Sequence, residues 1–123
     1  MKFLSLQHIA IEDPGTFKDF LLKDGHSLTT IQLDEGDAIP SNLDEFDAML
    51  CMGGPMDTHM EKEYPWLIPE KKAISEYVLN LEKPFLGFCL GCQLLGEVLG
   101  GQVVKSSPSE IGVLDIHSQE NIK

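Results

Sequence analysis

Basic residues are scarce in this sequence, and their scarcity excludes one class of partner. The 123 residues contain 9 Lys and Arg against 20 Asp and Glu, so the formal net charge is −11. A surface this acidic repels a phosphate backbone. We therefore expect no nucleic acid among the partners.

Long apolar runs and cysteines are also few. No apolar run reaches the roughly 18 residues of a membrane-spanning helix, so no membrane partner is expected. The N-terminal residues pass through Gln7 and His8 to Glu12, which is unlike a secretory signal, and we expect a cytoplasmic protein. The three cysteines are an odd number and make a poor disulfide framework, so we expect reduced thiols.

Apolar runs alternate with helical periodicities along the chain. Thr16 is a predicted helix N-cap, and Pro69 lies in the first turn of a predicted helix whose apolar residues from Ile74 to Leu81 keep helical spacing. A third helix is predicted around residues 94–99. Strands are predicted at residues 3–10, 27–33, 47–52 and 85–88, with shorter ones at 103–104 and 113–116. This order predicts one domain over residues 1–123, an α/β fold with a doubly wound, mostly parallel sheet and helices on both faces.

The segment Gly87-Phe88-Cys89-Leu90-Gly91 is a G-x-C-x-G motif at a predicted strand-to-helix junction. This is the thiol version of the nucleophile elbow, in which small neighbours are needed because the turn is sharp and the helix begins directly beneath it. The amide groups that begin the following helix favour an anionic sulfur on Cys89. A buried structural cysteine beside a tight turn is the alternative interpretation.

A second glycine-rich segment, Gly53-Gly54-Pro55, ends the predicted strand at residues 47–52. Ligands bind at this edge of an open α/β sheet, and paired glycines allow the backbone to approach them closely. A free N–H group here, together with that of Leu90, would form an oxyanion hole beside the thiol.

Several segments in order carry a family resemblance: Gly53-Gly54-Pro55-Met56, Tyr64-Pro65-Trp66-Leu67, the elbow within residues 83–95, and residues 99–103 and 107–112. Together they resemble the class I glutamine amidotransferases, and in particular the branch similar to the amidotransferase domain of GMP synthase. The resemblance implies a flavodoxin-like fold and a glutaminase that needs no cofactor and no metal.

The resemblance also implies roles for individual residues. Cys89 would attack the side-chain amide of glutamine, release ammonia and leave a γ-glutamyl thioester for water to hydrolyse. The N–H groups of Gly54 and Leu90 would hold the oxyanion, and Gly53 and Gln93 would bind the substrate. Residues 106–112 would form a wall of the pocket.

The C-terminal part of the sequence departs from the family pattern. The family places its base and orienting acid in a His-x-Glu motif far beyond the nucleophile, and no such motif follows Cys89. His117 and Glu120 have a different spacing, and we do not expect His117 to be the base. We therefore expect the N-terminal portion of such a domain, with impaired turnover and an exposed sheet edge near residues 113–116. That edge would favour a symmetric homodimer.

Two other functions stay open at this point. A non-catalytic binding or regulatory module would keep the pocket without turnover, and a γ-glutamyl peptide hydrolase would use the same thioester chemistry on another γ-glutamyl compound. The acceptor of the ammonia is not indicated, because the sequence contains no phosphate-binding loop, so a separate synthetase partner is the expectation.

Cys89-Leu90-Gly91-Cys92 is formally a C-x-x-C motif, which raises the alternative of a redox pair. The elbow interpretation is favoured because no proline or polar residue separates the cysteines, and Cys92 is expected to pack within the helix. Neither His59 nor Cys51 has zinc-ligand spacing to this pair.

The remaining polar residues have simpler interpretations. His8 ends the first predicted strand and could line the pocket, although a capped loop histidine is favoured. His59 is expected in a mobile loop over the pocket, and Trp66 is expected to anchor the helix that follows it. A group of charged residues is interpreted as a solvated helix entrance without catalytic meaning: Glu61, Glu63, Glu70, Lys71 and Lys72.

Overall fold

The structure, a computed structural model, describes residues 1–119. Four parallel strands form one sheet, β1 (Lys2–Gln7), β2 (Ser27–Gln32), β3 (Ala48–Cys51) and β4 (Phe85–Gly87), in the spatial order β2-β1-β3-β4. The helices are α1 (Thr16–Lys23), α2 (Leu67–Ser75), which continues as a π-helical turn over Glu76–Asn80, and α3 (Leu90–Val98). The predicted doubly wound α/β fold is confirmed, with each helix joining or following parallel strands.

Helices cover both faces of the sheet. On one face, Leu4, Leu6 and Met49 pack with the buried residues of α2 and α3 in the larger core. On the other face, Leu21 of α1 packs against Leu50 and Met52. Alternate residues of β1 and β3 therefore serve opposite cores, as the two-residue period of a strand requires.

The strand order reverses between β1 and β3, which defines the topological switch point of the sheet. The chain leaves β1 at His8 and leaves β3 at Met52, followed by Gly53 and Gly54. Open α/β sheets bind ligands outside the carboxyl ends of the strands at this point. The fold thus brings these two segments together at the expected binding edge.

One part of the sheet surface near β4 lacks a helix over it. A groove of about 190 Å³ runs between α1 and the β3–β4 surface and includes Phe17 and Leu86. Leu86 is 45% exposed and Phe17 is 38% exposed. This open apolar face, defined here by Phe17 and Leu86, contrasts with the opposite face, where α2 and α3 cover the strands.

Two sequence predictions about local structure are wrong. Residues 103–104 and 113–116 form no strand within residues 1–119, and Val104, Val113 and Ile116 are largely or fully exposed. Neither segment pairs with β4, which is therefore an edge strand of the described sheet. Thr16 is the first residue of α1 rather than its N-cap. Gly15 takes the cap position with a positive φ of 53°. Glu120 lies outside the described residues.

Within residues 1–119, no helix is long and apolar enough to cross a membrane.

Candidate active site

Cys89 occupies the sharp turn between β4 and α3. Its backbone has φ 49° and ψ −107°, and its side chain is exposed. A positive φ is strained for a residue with a side chain, and such strain concentrates at functional sites. The elbow predicted from the sequence is present, and α3 begins at the very next residue.

The flanking glycines explain how the turn is built. A Cβ atom on Gly91 would lie 2.1 Å from the carbonyl oxygen of Cys51, and one on Gly87 would lie 2.5 Å from the backbone of Gly91. The amide of Phe88 also donates a hydrogen bond to the Cys51 carbonyl, at 2.9 Å. Only glycine fits at positions 87 and 91, because α3 presses directly on the ends of β3 and β4.

Gly53 and Gly54 lie against this turn. The point that a Cβ atom on Gly53 would occupy is 3.4 Å from the Cβ atom of Cys89, and the corresponding point on Gly54 is 3.3 Å from the Leu90 side chain. The carboxylate of Glu12 lies beside the same point on Gly53. The structure thus brings together Cys89, Leu90, Gly53 and Gly54, four of the residues predicted from the sequence.

The amide groups of Gly54 and Leu90 donate to no protein acceptor within the described part of the chain. Leu90 is the first residue of α3, whose N-terminal amides carry the positive end of the helix dipole. Two backbone donors without acceptors beside an exposed thiol can stabilise an anion that forms there.

Gln93, the fifth predicted residue, lies one turn along α3. The backbone N–H group of Gln93 donates a hydrogen bond to the Cys89 carbonyl oxygen at 3.0 Å, and the residue lines a cavity of about 580 Å³. His59 and Lys105 also line this cavity, and His59 contacts the carbonyl of Val103 at 3.2 Å. The cavity therefore lies between α3, the loop after Gly54 and residues 103–106. It is one helical turn away from the elbow, and Cys89 is not among its lining residues.

A buried polar cluster lies beneath Gly53. The His8 Nδ1 atom is 3.1 Å from the Gly53 carbonyl oxygen, and its Nε2 atom is 2.6 Å from Glu70 Oε1. The thiol of Cys51 donates to the same carboxylate oxygen at 3.4 Å. All three side chains are fully buried, and Trp66 stacks on the His8 ring with the centroids 5.4 Å apart.

The charge states of this cluster follow from its contacts. Burial works to lower the pKa of His8, but the hydrogen bond and charge of Glu70 outweigh it, so the pKa is raised above 6.5. Both imidazole nitrogens face oxygen acceptors, which the doubly protonated ring satisfies. Burial, reinforced by Glu70, raises the pKa of the Cys51 thiol well above its usual value, so this cysteine stays protonated.

His8, Cys51 and Glu70 are also the one group of potential metal ligands within residues 1–119. Two ligands of one tetrahedral zinc ion lie about 3.3 Å apart, given metal–ligand distances of about 2.0–2.1 Å. The 2.6 Å separation of His8 Nε2 and Glu70 Oε1 is shorter than this and is a hydrogen-bond distance. The geometry is that of a hydrogen-bonded ion pair.

The interpretation of Glu70 as a solvated residue is wrong. Glu70 falls on the stripe of α2 that contains the buried residues Leu67, Ala73 and Ile74, and it is 0% exposed. Its position three residues after an apolar residue of the same stripe was the one weak signal of burial in the sequence. Its partner His8 is 62 residues away in the chain, and is a buried side chain rather than a capped loop residue.

Two more expectations are corrected. Cys92 is exposed on α3 instead of packed within it. Lys71 is half-buried instead of solvated, and its Nζ atom donates to the Thr58 carbonyl, to Glu61 and to Glu97 at 2.7–2.9 Å. Lys71 thereby ties the loop along the cavity to α2 and α3.

Comparisons with known proteins agree with this geometry. The family model described as "Glutamine amidotransferase class-I" matches residues 17–121. The glutamine amidotransferase-like protein YfeJ of Salmonella typhimurium is 32% identical over 108 residues, which are 85% of this chain and 45% of that protein. One subunit of the glutamine-hydrolysing GMP synthase of Sulfolobus acidocaldarius is 37% identical over 75 residues, which are 61% of this chain and 37% of that protein.

Solved structures give the same result. A glutamine amidotransferase from Methylobacillus flagellatus superposes with a TM-score of 0.82 and 32% identity, over 90% of this chain and 43% of that one. A glutamine amidotransferase from Thermotoga maritima has a TM-score of 0.77 and 35% identity, over 81% and 43%. This chain spans less than half the length of these relatives. With its sequence, fold and elbow geometry in agreement, the chain belongs to the class I glutamine amidotransferase family.

Proposed function

We propose that this domain is a glutaminase that uses Cys89 as its nucleophile. The observation that carries the proposal is the position of Cys89 on a strained, exposed elbow with the acceptor-free amides of Gly54 and Leu90 beside it. An acyl-transfer site needs this combination of an accessible nucleophile and fixed donors at the place where negative charge develops.

The proposed reaction has two halves. The Cys89 thiolate attacks the side-chain carbonyl carbon of glutamine, and the N–H groups of Gly54 and Leu90 stabilise the oxyanion of the tetrahedral intermediate. The amide nitrogen takes up one proton as the carbon–nitrogen bond breaks, so it leaves as ammonia, and a γ-glutamyl thioester remains on Cys89. Water attacks the thioester and releases glutamate and the free thiol. Gly53, beside Cys89, and Gln93, which lines the cavity, bind the substrate in this proposal.

Both halves require proton transfers that these residues supply poorly: the leaving nitrogen needs a proton in the first half, and the attacking water must lose one in the second. Within residues 1–119, no histidine is hydrogen-bonded to Cys89, since His8 is paired with Glu70 and His59 contacts Val103. Each missing general acid or base role costs roughly 10²–10⁴ in rate. We propose that turnover of glutamine by residues 1–119 is slow for this reason.

The names of two relatives support a proposal for the acceptor of the ammonia. Because similar chains are named as subunits of glutamine-hydrolysing GMP synthase, we propose a synthetase partner that accepts ammonia.

We also propose a homodimer through the open apolar face, because an uncovered sheet surface of this kind is rarely left in contact with water.

A γ-glutamyl peptide hydrolase is the second candidate function. The cavity one helical turn from the elbow, at about 580 Å³, falls in the range of pockets for ligands larger than one amino acid, roughly 300–1,000 Å³. Both candidates use the same thioester, so the nature of the leaving group is the difference between them.

Mass spectrometry of the intact chain after incubation with glutamine or γ-glutamyl 4-nitroanilide tests the proposal. We expect an adduct of one γ-glutamyl group on Cys89 in the wild type and in Cys92→Ala, and none in Cys89→Ala. Cys92 is a matched control because it is also exposed and lies three residues away. A chain that binds glutamine but neither forms an adduct nor releases ammonia would be a binding or regulatory module.

A further inference from the structure

The buried His8–Glu70 pair has no part in the proposed chemistry, although it lies directly beneath it. Both side chains are 0% exposed, and burying two charged groups carries a large desolvation cost before they attract each other. Apolar residues of similar size would fill this space at a lower desolvation cost. Only a hydrogen-bonding side chain, however, can hold the Gly53 carbonyl.

The Gly53 carbonyl belongs to the peptide unit that carries the Gly54 amide. This peptide bond is trans, so its C=O and N–H groups point in opposite directions. His8 Nδ1 holds the carbonyl oxygen from the protein interior at 3.1 Å, and the amide therefore points away from His8. Fixing the carbonyl fixes the direction of the Gly54 N–H group.

The His8 ring is itself held by several contacts. Glu70 contacts Nε2 at 2.6 Å, and the indole of Trp66 stacks on the ring at an angle of 24°. A Cβ atom added to Gly54 would lie 3.0 Å from the His8 Cβ atom, so only glycine leaves room for His8 here. Glu70 in turn accepts the Cys51 thiol, whose strand leads directly to Gly53. The chain of contacts runs from α2 through β1 to the glycine pair beside Cys89.

We infer that His8, held by Glu70, is a positioning residue that aims the Gly54 N–H group at the oxyanion formed on attack by Cys89. The inference rests on the proposed function for its catalytic consequence. Its geometric content, that His8 orients the Gly53–Gly54 peptide, can be measured without any turnover.

Two substitutions separate the two hydrogen bonds of His8. In His8→Asn the side-chain amide lies where Nδ1 was and can donate to the Gly53 carbonyl, but it cannot reach Glu70. In His8→Gln the longer amide lies near the former Nε2 position and can donate to Glu70, but the Gly53 contact is lost. Both variants remove the imidazolium and leave a neutral amide, so a role in stability alone predicts similar effects.

The kinetic readout compares two reactions of Cys89. Release of 4-nitroaniline from γ-glutamyl 4-nitroanilide passes through an oxyanion, whereas alkylation by iodoacetamide does not. We expect His8→Gln to acylate roughly 10–100 times more slowly than the wild type, and His8→Asn within about fivefold of it. Alkylation rates should stay equal in all three. Equal acylation rates in the two variants would overturn the inference.

Nuclear magnetic resonance supplies the readout that does not need activity. We expect the Gly53 carbonyl and Gly54 amide resonances to move in His8→Gln and to stay near their wild-type positions in His8→Asn. Should His8→Gln fail to fold, displaced Gly53 and Gly54 resonances in folded His8→Asn with unchanged acylation would contradict the inference. A wild type that is alkylated but never acylated refutes the proposed function instead, and the resonances then decide the inference alone.

Discussion

Gly91 lies so close to Cys51 that a Cβ atom on Gly91 would be 2.1 Å from the Cys51 carbonyl oxygen. This contact joins the first turn of α3 to the end of β3. It is the reason that Cys89 is held at the edge of the sheet, beside the glycine pair that follows β3.

Gly91→Ala should therefore lower the free energy of unfolding by about 1–3 kcal/mol, as overpacking against backbone does. Gly96→Ala is the matched control on the same helix, because a Cβ atom there meets nothing within 4 Å. That change should stabilise the chain by about 0.5–1 kcal/mol. Urea unfolding measures both, and equal effects of the two substitutions would refute the packing argument.

Cys89 should be the first of the three thiols to react with iodoacetamide near neutral pH. It is exposed and flanked by helix N-terminal amides that stabilise an anion, whereas burial raises the pKa of the Cys51 thiol well above its usual value. Peptide mapping after brief alkylation identifies the labelled residue. Preferential labelling of Cys92 would favour the redox-pair interpretation of the C-x-x-C segment.

The His8–Glu70 pair should contribute stability that depends on pH. The folded-state pKa of His8 is raised above 6.5, so its contribution is complete below about pH 6.5 and is lost as the pH rises through the folded value. The difference in unfolding free energy between the wild type and Glu70→Gln should shrink accordingly as the pH rises above about 6.5. Denaturant titrations across this range measure it, and a difference that grows with pH would contradict the assignment.

Lys71→Met should loosen the loop along the cavity. Burial works to lower the pKa of Lys71, but Glu61 and Glu97 outweigh it and raise the pKa, so the ammonium is charged and holds three oxygen acceptors. We expect a loss of about 1 kcal/mol and faster hydrogen exchange over residues 57–61. Lys72→Met, at an exposed neighbour, is the control and should change neither quantity.

The open apolar face predicts self-association. Light scattering coupled to size exclusion should give about twice the chain mass of 13.7 kDa at tens of micromolar. Leu86→Lys should yield monomer, because it places a charge on the open face, whereas Ile68→Lys on α2 should not. A well-behaved monomer in the wild type would rule out the homodimer.

Much of the fold could be predicted from local signals. The strand and helix order followed from short apolar runs and helical spacing, and the elbow at Cys89 followed from glycines on both sides of one cysteine. The failed strand predictions have a non-local cause. Residues 103–104 and 113–116 have apolar residues of strand-forming types, but a strand needs a neighbour to pair with, and none reaches them within residues 1–119.

The primary structure was sufficient for the order of strands and helices and for the motif that presents Cys89, because both depend on residues within a few positions of one another. Tertiary packing alone established the buried partnership of His8 and Glu70. These residues are 62 positions apart, and Glu70 stands in a charged stretch beside Lys71 and Lys72 that is typical of a solvated helix surface. Its burial arises from the convergence of β1, β3 and α2 at the sheet's switch point. Water is excluded there, so the two opposite charges are compensated by each other and by the Cys51 thiol and the Gly53 carbonyl.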